Sequence, residues 1–229
     1  MITQIGSLPY DNVEEAIHYS LEHEIPFLPE LPKLGDLMLE YIKHPGRLSC
    51  LDEFSRHRFS CVKIQCVGPT TLVSVGYSPD EAVARIVEHV SVIMGKLKAD
   101  EVILFLDEPS LGQSGLKFEE LWAPIFESFP VTAGVHCCGN MDWDVLFRSD
   151  VVRVISFDAS QFDVTGYPQY RGNKRIVWGV ERLEDVKDFQ TGDFLTLPCG
   201  MSPLKYRVED CLPALKKLRA ISDNLERCE

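Results

Sequence analysis

A chain of 229 residues, 45% hydrophobic and 25% charged, has the length and composition of one soluble globular domain. Its formal net charge of -12 argues against a general nucleic-acid or anionic-membrane surface, while leaving room for a local basic pocket. No apolar run approaches the roughly 20 residues that span a bilayer. The first six residues lack the basic and apolar regions of a secretory signal. We therefore expect a single domain over residues 1–229, located in the cytoplasm.

The predicted elements alternate between short β-like runs and amphipathic helical patterns, which is typical of a parallel α/β fold. Ser78-Pro79-Asp80-Glu81 opens one helix with an N-cap serine, a proline at the first position and two acids. In chain order the elements are strand 3–7, helix 11–22, strands 26–30 and 62–67, a helix from 78 through 93, strands 102–107 and 131–136, helix 141–147, strands 152–157, 175–180 and 194–198, and helix 208–225.

Eight strand candidates favour a single, compact TIM (β/α)8 barrel over an open sheet, and 229 residues make it a lean one. Residues 161–174 show little helical periodicity and contain Gly166, Pro168 and Gly172, so we expect that crossover to be irregular.

Polar or ligating residues follow nearly every predicted strand. In a TIM barrel these positions form the rim on which the active site is built. They are Ser7, Glu30, Gly68-Pro69-Thr70, Asp107-Glu108, His136-Cys137-Cys138, Asp158, Glu181 and Cys199.

Three of these residues form a candidate zinc site. His136 and Cys138 lie two residues apart, on the same side of an extended backbone, and Cys199 ends the last strand at the same rim. Zinc prefers nitrogen and sulfur ligands, and three protein ligands plus an open position is the catalytic arrangement. Asp158 is a candidate fourth, weaker ligand, whereas Cys137 points the opposite way and is interpreted as structural. Without a metal, the same residues are a polar pair and a core thiol.

Because we expect a reducing compartment, we interpret the eight cysteines as free thiols or metal ligands in preference to disulfides. Five of them stand alone and are interpreted as apolar fillers or surface thiols. These five are Cys50, Cys61, Cys66, Cys211 and Cys228.

Zinc with thiolate ligands suits the activation of an incoming thiol, because it lowers the pKa of that thiol and holds it as a nucleophile. Asp107 and Glu108 are the candidate catalytic carboxylates, and together with Glu30 they would receive an ammonium group on the thiol. The alternative for Asp107-Glu108-Pro109 is a capping pair for the next helix.

Several short motifs are spread over almost the whole chain. They are Ile5-Gly6-Ser7-Leu8-Pro9, Ile25-Pro26-Phe27-Leu28-Pro29-Glu30-Leu31-Pro32, Gly68-Pro69-Thr70, Phe105-Leu106-Asp107-Glu108-Pro109, Val135-His136-Cys137-Cys138-Gly139-Asn140 and Pro198-Cys199-Gly200. Together, and in the same order, these motifs resemble those of the catalytic domain of cobalamin-independent methionine synthase. The wider superfamily of this domain also holds corrinoid-protein:coenzyme M methyltransferases and uroporphyrinogen decarboxylase, whose Arg-rich N-terminal signature is absent here.

The resemblance implies that His136, Cys138 and Cys199 are zinc ligands. The carboxylate ligand of the family falls near Asp158, where this chain has the shorter Asp in place of Glu.

The resemblance also implies an amino-acid site. Asp107 matches the residue that holds the homocysteine amino group, and Glu30 matches a second carboxylate there. Ile5-Gly6-Ser7 matches the loop that receives the substrate carboxylate.

The chain lacks the large N-terminal barrel of the full-length enzyme, so we expect a short, stand-alone relative. The leading hypothesis is a zinc-dependent methyltransferase that methylates homocysteine or a similar small thiol, with a corrinoid protein or methyl-folate as donor. Trimmed loops favour the corrinoid donor. The alternatives are a zinc- or thiol-binding accessory protein without turnover, and a metal-free decarboxylase-like protein.

Overall fold

A parallel sheet of six strands forms the centre of the computed structural model, which describes residues 1–109, 111 and 117–227. Every neighbouring pair is parallel and the strands follow one another in chain order, so their carboxyl ends share one edge of the sheet. The strands are β1 Phe59–Val67, β2 Ala99–Asp107, β3 Thr132–Cys137, β4 Val154–Asp158, β5 Arg175–Gly179 and β6 Phe194–Thr196.

Eight α-helices are found in the described part of the chain, and most of them lie in its first two thirds. They are α1 Val13–Leu21, α2 Met38–Lys43, α3 Leu51–Phe54, α4 Pro69–Ser74, α5 Pro79–Lys96, α6 Phe118–Glu127, α7 Asp144–Arg148 and α8 Cys211–Glu226. Short 3-10 helices at Pro32–Leu34, Leu183–Asp185 and Val208–Asp210 complete the pattern. None of the helices described is long and apolar enough to cross a membrane.

The parallel α/β class is therefore confirmed, but the predicted closed eight-stranded barrel is wrong. Residues 3–7 and 26–30 form no regular strand and contribute only isolated parallel bridges, of which Ser7 with Glu30 is one. Pro26 and Pro29 have no N–H to donate to a ladder, and the N–H of Gly6 donates to a side chain instead of a strand. The regular sheet is thus a curled, six-stranded half-barrel.

A local capping signal located the start of α5 correctly. The Ser78 side chain accepts a hydrogen bond from the N–H of Glu81, as its position before α5 predicted. The helix predicted at 141–147 is shorter, at Asp144–Arg148. Helix α6 was not among the predicted elements, because Pro124 lies in its interior, where proline usually breaks a helix.

The crossover after β4 is irregular, as expected, with neither helix nor strand between β4 and β5. It is tied down by Arg171, whose guanidinium donates to both carboxylate oxygens of Asp193. Asp193 is buried and also accepts from the Ile176 N–H and the Trp178 indole. This network takes the place of a packed helix on that side of the sheet.

Candidate metal centre

Three ligand residues meet at the carboxyl edge of the sheet. His136 lies in β3, Cys138 directly follows β3, and Cys199 follows β6. One ligand atom from each lies within 4.8 Å of the others. His136 is buried, Cys138 is half-buried and Cys199 is exposed, so the cluster is embedded on one side and open to solvent on the other.

A hydrogen bond to the Ser156 hydroxyl orients the imidazole of His136. Its Nδ1 is hydrogen-bonded to Ser156 Oγ at 2.9 Å, and Ser156 is the residue of β4 that pairs with His136 in the sheet. The other ring nitrogen, Nε2, is buried and has no hydrogen-bond partner. An orphaned buried nitrogen is costly, and a metal ion would satisfy it.

The two cysteines of the cluster share their protons unequally. The neighbouring Cys138 and His136 lower the pKa of the Cys199 thiol. The same interaction with Cys199, together with burial, raises the pKa of Cys138. The cluster therefore favours one thiolate, which is the form of cysteine that binds metal.

These residues fit a metal ion. Bonds of about 2.0–2.3 Å in a tetrahedral site place neighbouring ligand atoms about 3.3–3.8 Å apart, which needs only a small contraction of this cluster. Cys137, between the two ligands of β3, packs in the apolar core and donates to the Gly139 carbonyl. The alternation of side chains along the strand thus separates the ligands from the structural thiol.

Two buried carboxylates accompany the cluster. Asp107 ends β2 and pairs with His136 in the sheet, and Glu30 pairs with Ser7. Asp107 Oδ1 and Glu30 Oε1 are buried and have no hydrogen-bond partner. Burial is the largest cause that raises the pKa of Asp107 to about 6 and that of Glu30 to about 8, while Lys63 opposes both shifts. Both groups are therefore suited to a ligand that brings positive charge.

Glu108 has a different environment. Its carboxylate accepts hydrogen bonds from the N–H groups of Thr70 and Thr71, the Thr71 hydroxyl and the Trp122 indole. A Cβ on Gly68 would lie 2.1 Å from Glu108 Cδ, so glycine is required there. This geometry gives Glu108 a structural role at the start of α4; its predicted part in catalysis remains a prediction.

Asp158 lies outside the three-residue cluster. Its Oδ1 accepts from the N–H and hydroxyl of Ser160, and its Oδ2 accepts from the Gln161 amide. The carboxylate thus closes the turn after β4, and its predicted place as fourth ligand gains no support from this geometry.

The segment Ile5-Gly6-Ser7 lies beside the centre. A Cβ on Gly200, next to Cys199, would lie 3.1 Å from Ser7 Cβ. The N–H of Gly6 is already taken by Gln65 Oε1 at 2.7 Å. Among the described residues, the Ser7 N–H and hydroxyl have no hydrogen-bond partner, so both donors are available to a ligand.

Three polar residues of the site were not predicted from the sequence: Lys63, Gln65 and Ser156. Lys63 and Gln65 alternate on β1 among apolar residues, a pattern that places both on the same face of a buried strand. Ser156 lies in β4 at the level of His136, which the parallel register alone reveals. Cys228, one of the lone cysteines, lies outside the described residues, and the other seven are free thiols.

Comparison with models of known protein families finds no match, and comparison with curated proteins finds none either. The resemblance to the methionine synthase catalytic domain therefore depends on the motifs quoted above.

Proposed function

We propose that this protein is a zinc-dependent methyltransferase that activates a small thiol, homocysteine or a close analogue, for methylation. The observation that carries the proposal is the half-open cluster of His136, Cys138 and Cys199 beside two buried carboxylates with unpartnered oxygens. A mixed nitrogen and sulfur donor set favours zinc over magnesium or calcium.

Zinc at this position would lower the pKa of the incoming thiol and hold the sulfur as a thiolate at neutral pH. Asp107 and Glu30 would bind the ammonium of the same ligand, which orients its sulfur toward the cluster. Ser156 holds the His136 ring in place through Nδ1.

In the transfer step, the ligand's sulfur forms a bond to the methyl carbon while the bond from that carbon to the donor breaks. The electron pair of the broken bond leaves with the donor, and the proton of the thiol is released to solvent. The donor approaches from the exposed side of Cys199. A methyl-corrinoid protein or a methyl-folate is the proposed donor, and a reducing cytoplasm is the proposed location because seven free thiols are present.

The test begins with metal content. Purified wild-type protein is expected to hold about one zinc ion per chain by plasma mass spectrometry. The variants His136→Ala and Cys199→Ser should lose it, whereas Cys61→Ser, which changes a thiol outside the cluster, should retain it.

Zinc-loaded protein is then incubated with L-homocysteine and either methylcobalamin or methyl-tetrahydrofolate, and methionine is measured. Methionine formed by the wild type and lost in Cys199→Ser supports the proposal. Stoichiometric zinc with no methyl transfer from either donor would favour an accessory zinc- or thiol-binding protein. Absence of zinc after reduction and reconstitution would exclude the mechanism.

A further inference from the structure

Two polar side chains on β1 have no place in the mechanism above, although both are almost completely buried. Lys63 is 1% exposed and Gln65 is 3% exposed. Burying an ammonium and an amide in an otherwise apolar strand is unfavourable unless both have partners. The two side chains are hydrogen-bonded to each other and, through Gln65, to the Gly6 backbone.

Gln65 connects the strand to the predicted substrate loop. Its Oε1 accepts one hydrogen bond from the Gly6 N–H at 2.7 Å and another from Lys63 Nζ at 2.5 Å. A Cβ on residue 6 would lie 2.8 Å from Gln65 Cδ, so glycine permits this close approach. The amide thereby sets the position of the backbone that leads into Ser7.

Fixing the Gly6 backbone also fixes the position of the next residue, Ser7. In the described chain, its N–H and hydroxyl have no hydrogen-bond partner, and its backbone pairs with Glu30 by an isolated bridge. Gly200 packs against Ser7 and is adjacent to Cys199. The two free donors of Ser7 and a carboxylate with one unpartnered oxygen, that of Glu30, therefore lie side by side next to the metal centre.

Lys63 supplies the charge balance of the same region. No carboxylate forms an ion pair with it among the described residues; its ammonium donates to Gln65 and lies 5.1 Å from the centroid of the Phe105 ring. Burial lowers the pKa of Lys63 to about 8, and the negative charges of Asp107 and Glu30 oppose this shift. Two carboxylates and one lysine leave a single negative charge when all are ionised, which one ligand ammonium neutralises.

We propose that Gln65, supported by Lys63, is a positioning residue that makes the site selective for thiols carrying an α-amino acid group. It holds the Gly6 backbone so that Ser7 can donate to the ligand carboxylate while Glu30 and Asp107 bind the ligand ammonium. A simple thiol would contact the metal without using these groups. This inference rests on the proposed function, which already contains the amino-acid end of the site, and adds the positioning role of Gln65 and Lys63.

The test compares two thiols on zinc-loaded protein by titration calorimetry: L-homocysteine, and 2-mercaptoethanol, which lacks both amino and carboxyl groups. The wild type should bind homocysteine more tightly. In Gln65→Met the preference for homocysteine should fall about tenfold, because one hydrogen-bonded anchor is lost, with zinc content and mercaptoethanol affinity unchanged. Gly6→Ala, which displaces the Gln65 side chain, should have the same effect and replaces Gln65→Met if that variant does not fold.

Cys61→Ser is the matched control on the same strand, and its preference should equal that of the wild type. A preference in Gln65→Met and Gly6→Ala within about twofold of the wild type would overturn the inference. So would a wild type that binds both thiols equally. These results differ from failure of the proposed function, in which zinc-loaded wild type binds neither thiol.

Discussion

The two nitrogens of the His136 ring have different surroundings. Ser156 Oγ bonds to Nδ1 at 2.9 Å, whereas Nε2 is buried and has no hydrogen-bond partner. Hydrogen bonding behind a metal-binding imidazole fixes its tautomer and direction, and loss of such a partner typically weakens metal binding about 10- to 100-fold.

Ser156→Ala should therefore bind zinc about 10- to 100-fold more weakly than the wild type, because the ring loses its anchor while all three ligands remain. The measurement is competition with a chromophoric chelator at constant pH. Ser128→Ala, which changes an exposed serine beyond α6, is the control. Unchanged affinity in Ser156→Ala would show that the ring is held by packing alone.

The Glu108 carboxylate accepts four hydrogen bonds, all from residues of α4 and α6. Removing the side chain in Glu108→Ala leaves four donors unsatisfied, so we expect the free energy of unfolding to fall by about 3 kcal/mol or more. Urea denaturation monitored by Trp fluorescence checks this. The exposed Glu127→Ala should change stability very little, and equal stability of both variants would contradict the structural role.

At the scale of elements, α2 packs against α5 through a buried aromatic pair. The ring of His89 in α5 stacks on Tyr41 in α2 with centroids 4.6 Å apart, and His89 Nδ1 accepts from the Gly46 N–H. Burial lowers the pKa of His89 to about 4. The folded protein therefore holds this ring neutral.

A group whose folded pKa is depressed contributes stability above its unfolded pKa and loses it as the pH falls toward the folded value. For His89 this window runs from 6.5 down to about 4. The difference in unfolding free energy between wild type and His89→Gln should therefore shrink by about 2 kcal/mol between about pH 7 and pH 4.5.

Urea titrations of wild type and His89→Gln at several pH values measure this difference. The comparison cancels the opposing contributions of Glu30 and Asp107, whose raised pKa values are present in both proteins. A difference that stays constant with pH would mean that the pKa of His89 is the same in the folded and unfolded states.

At the scale of the whole molecule, the candidate metal joins distant parts of the chain. His136 and Cys138 belong to the end of β3, and Cys199 to the segment after β6, beside the first residues of the chain. An ion that binds only the folded state stabilises it by RT ln(1 + M/Kd), where M is the free metal concentration.

Chelation of zinc-loaded protein should accordingly lower the Tm by roughly 5–10 °C when the metal had been at about a hundredfold excess over its Kd. Differential scanning fluorimetry with and without chelator makes the measurement. Cys199→Ser should show no response to the chelator, and a response equal to that of the wild type would place the metal elsewhere.

Features that depend on near neighbours in the chain followed from the sequence alone. The apolar runs of β1 to β6, the Ser78 cap of α5 and the same-side spacing of His136 and Cys138 are of this kind, because backbone period and local hydrogen bonds produce them. The parallel α/β class followed from their alternation.

Other features depend on partners far along the chain, and only the tertiary structure decided them. Residues 26–30 read as a strand, yet their prolines and the surrounding segments leave only isolated bridges. Glu108 accepts a hydrogen bond from Thr70 in α4, and Gln65 accepts one from Gly6, which is 59 residues away in the chain. Packing across the sheet decides which side chains become partners. The local sequence pattern cannot reveal these partners, because they lie far apart in the chain.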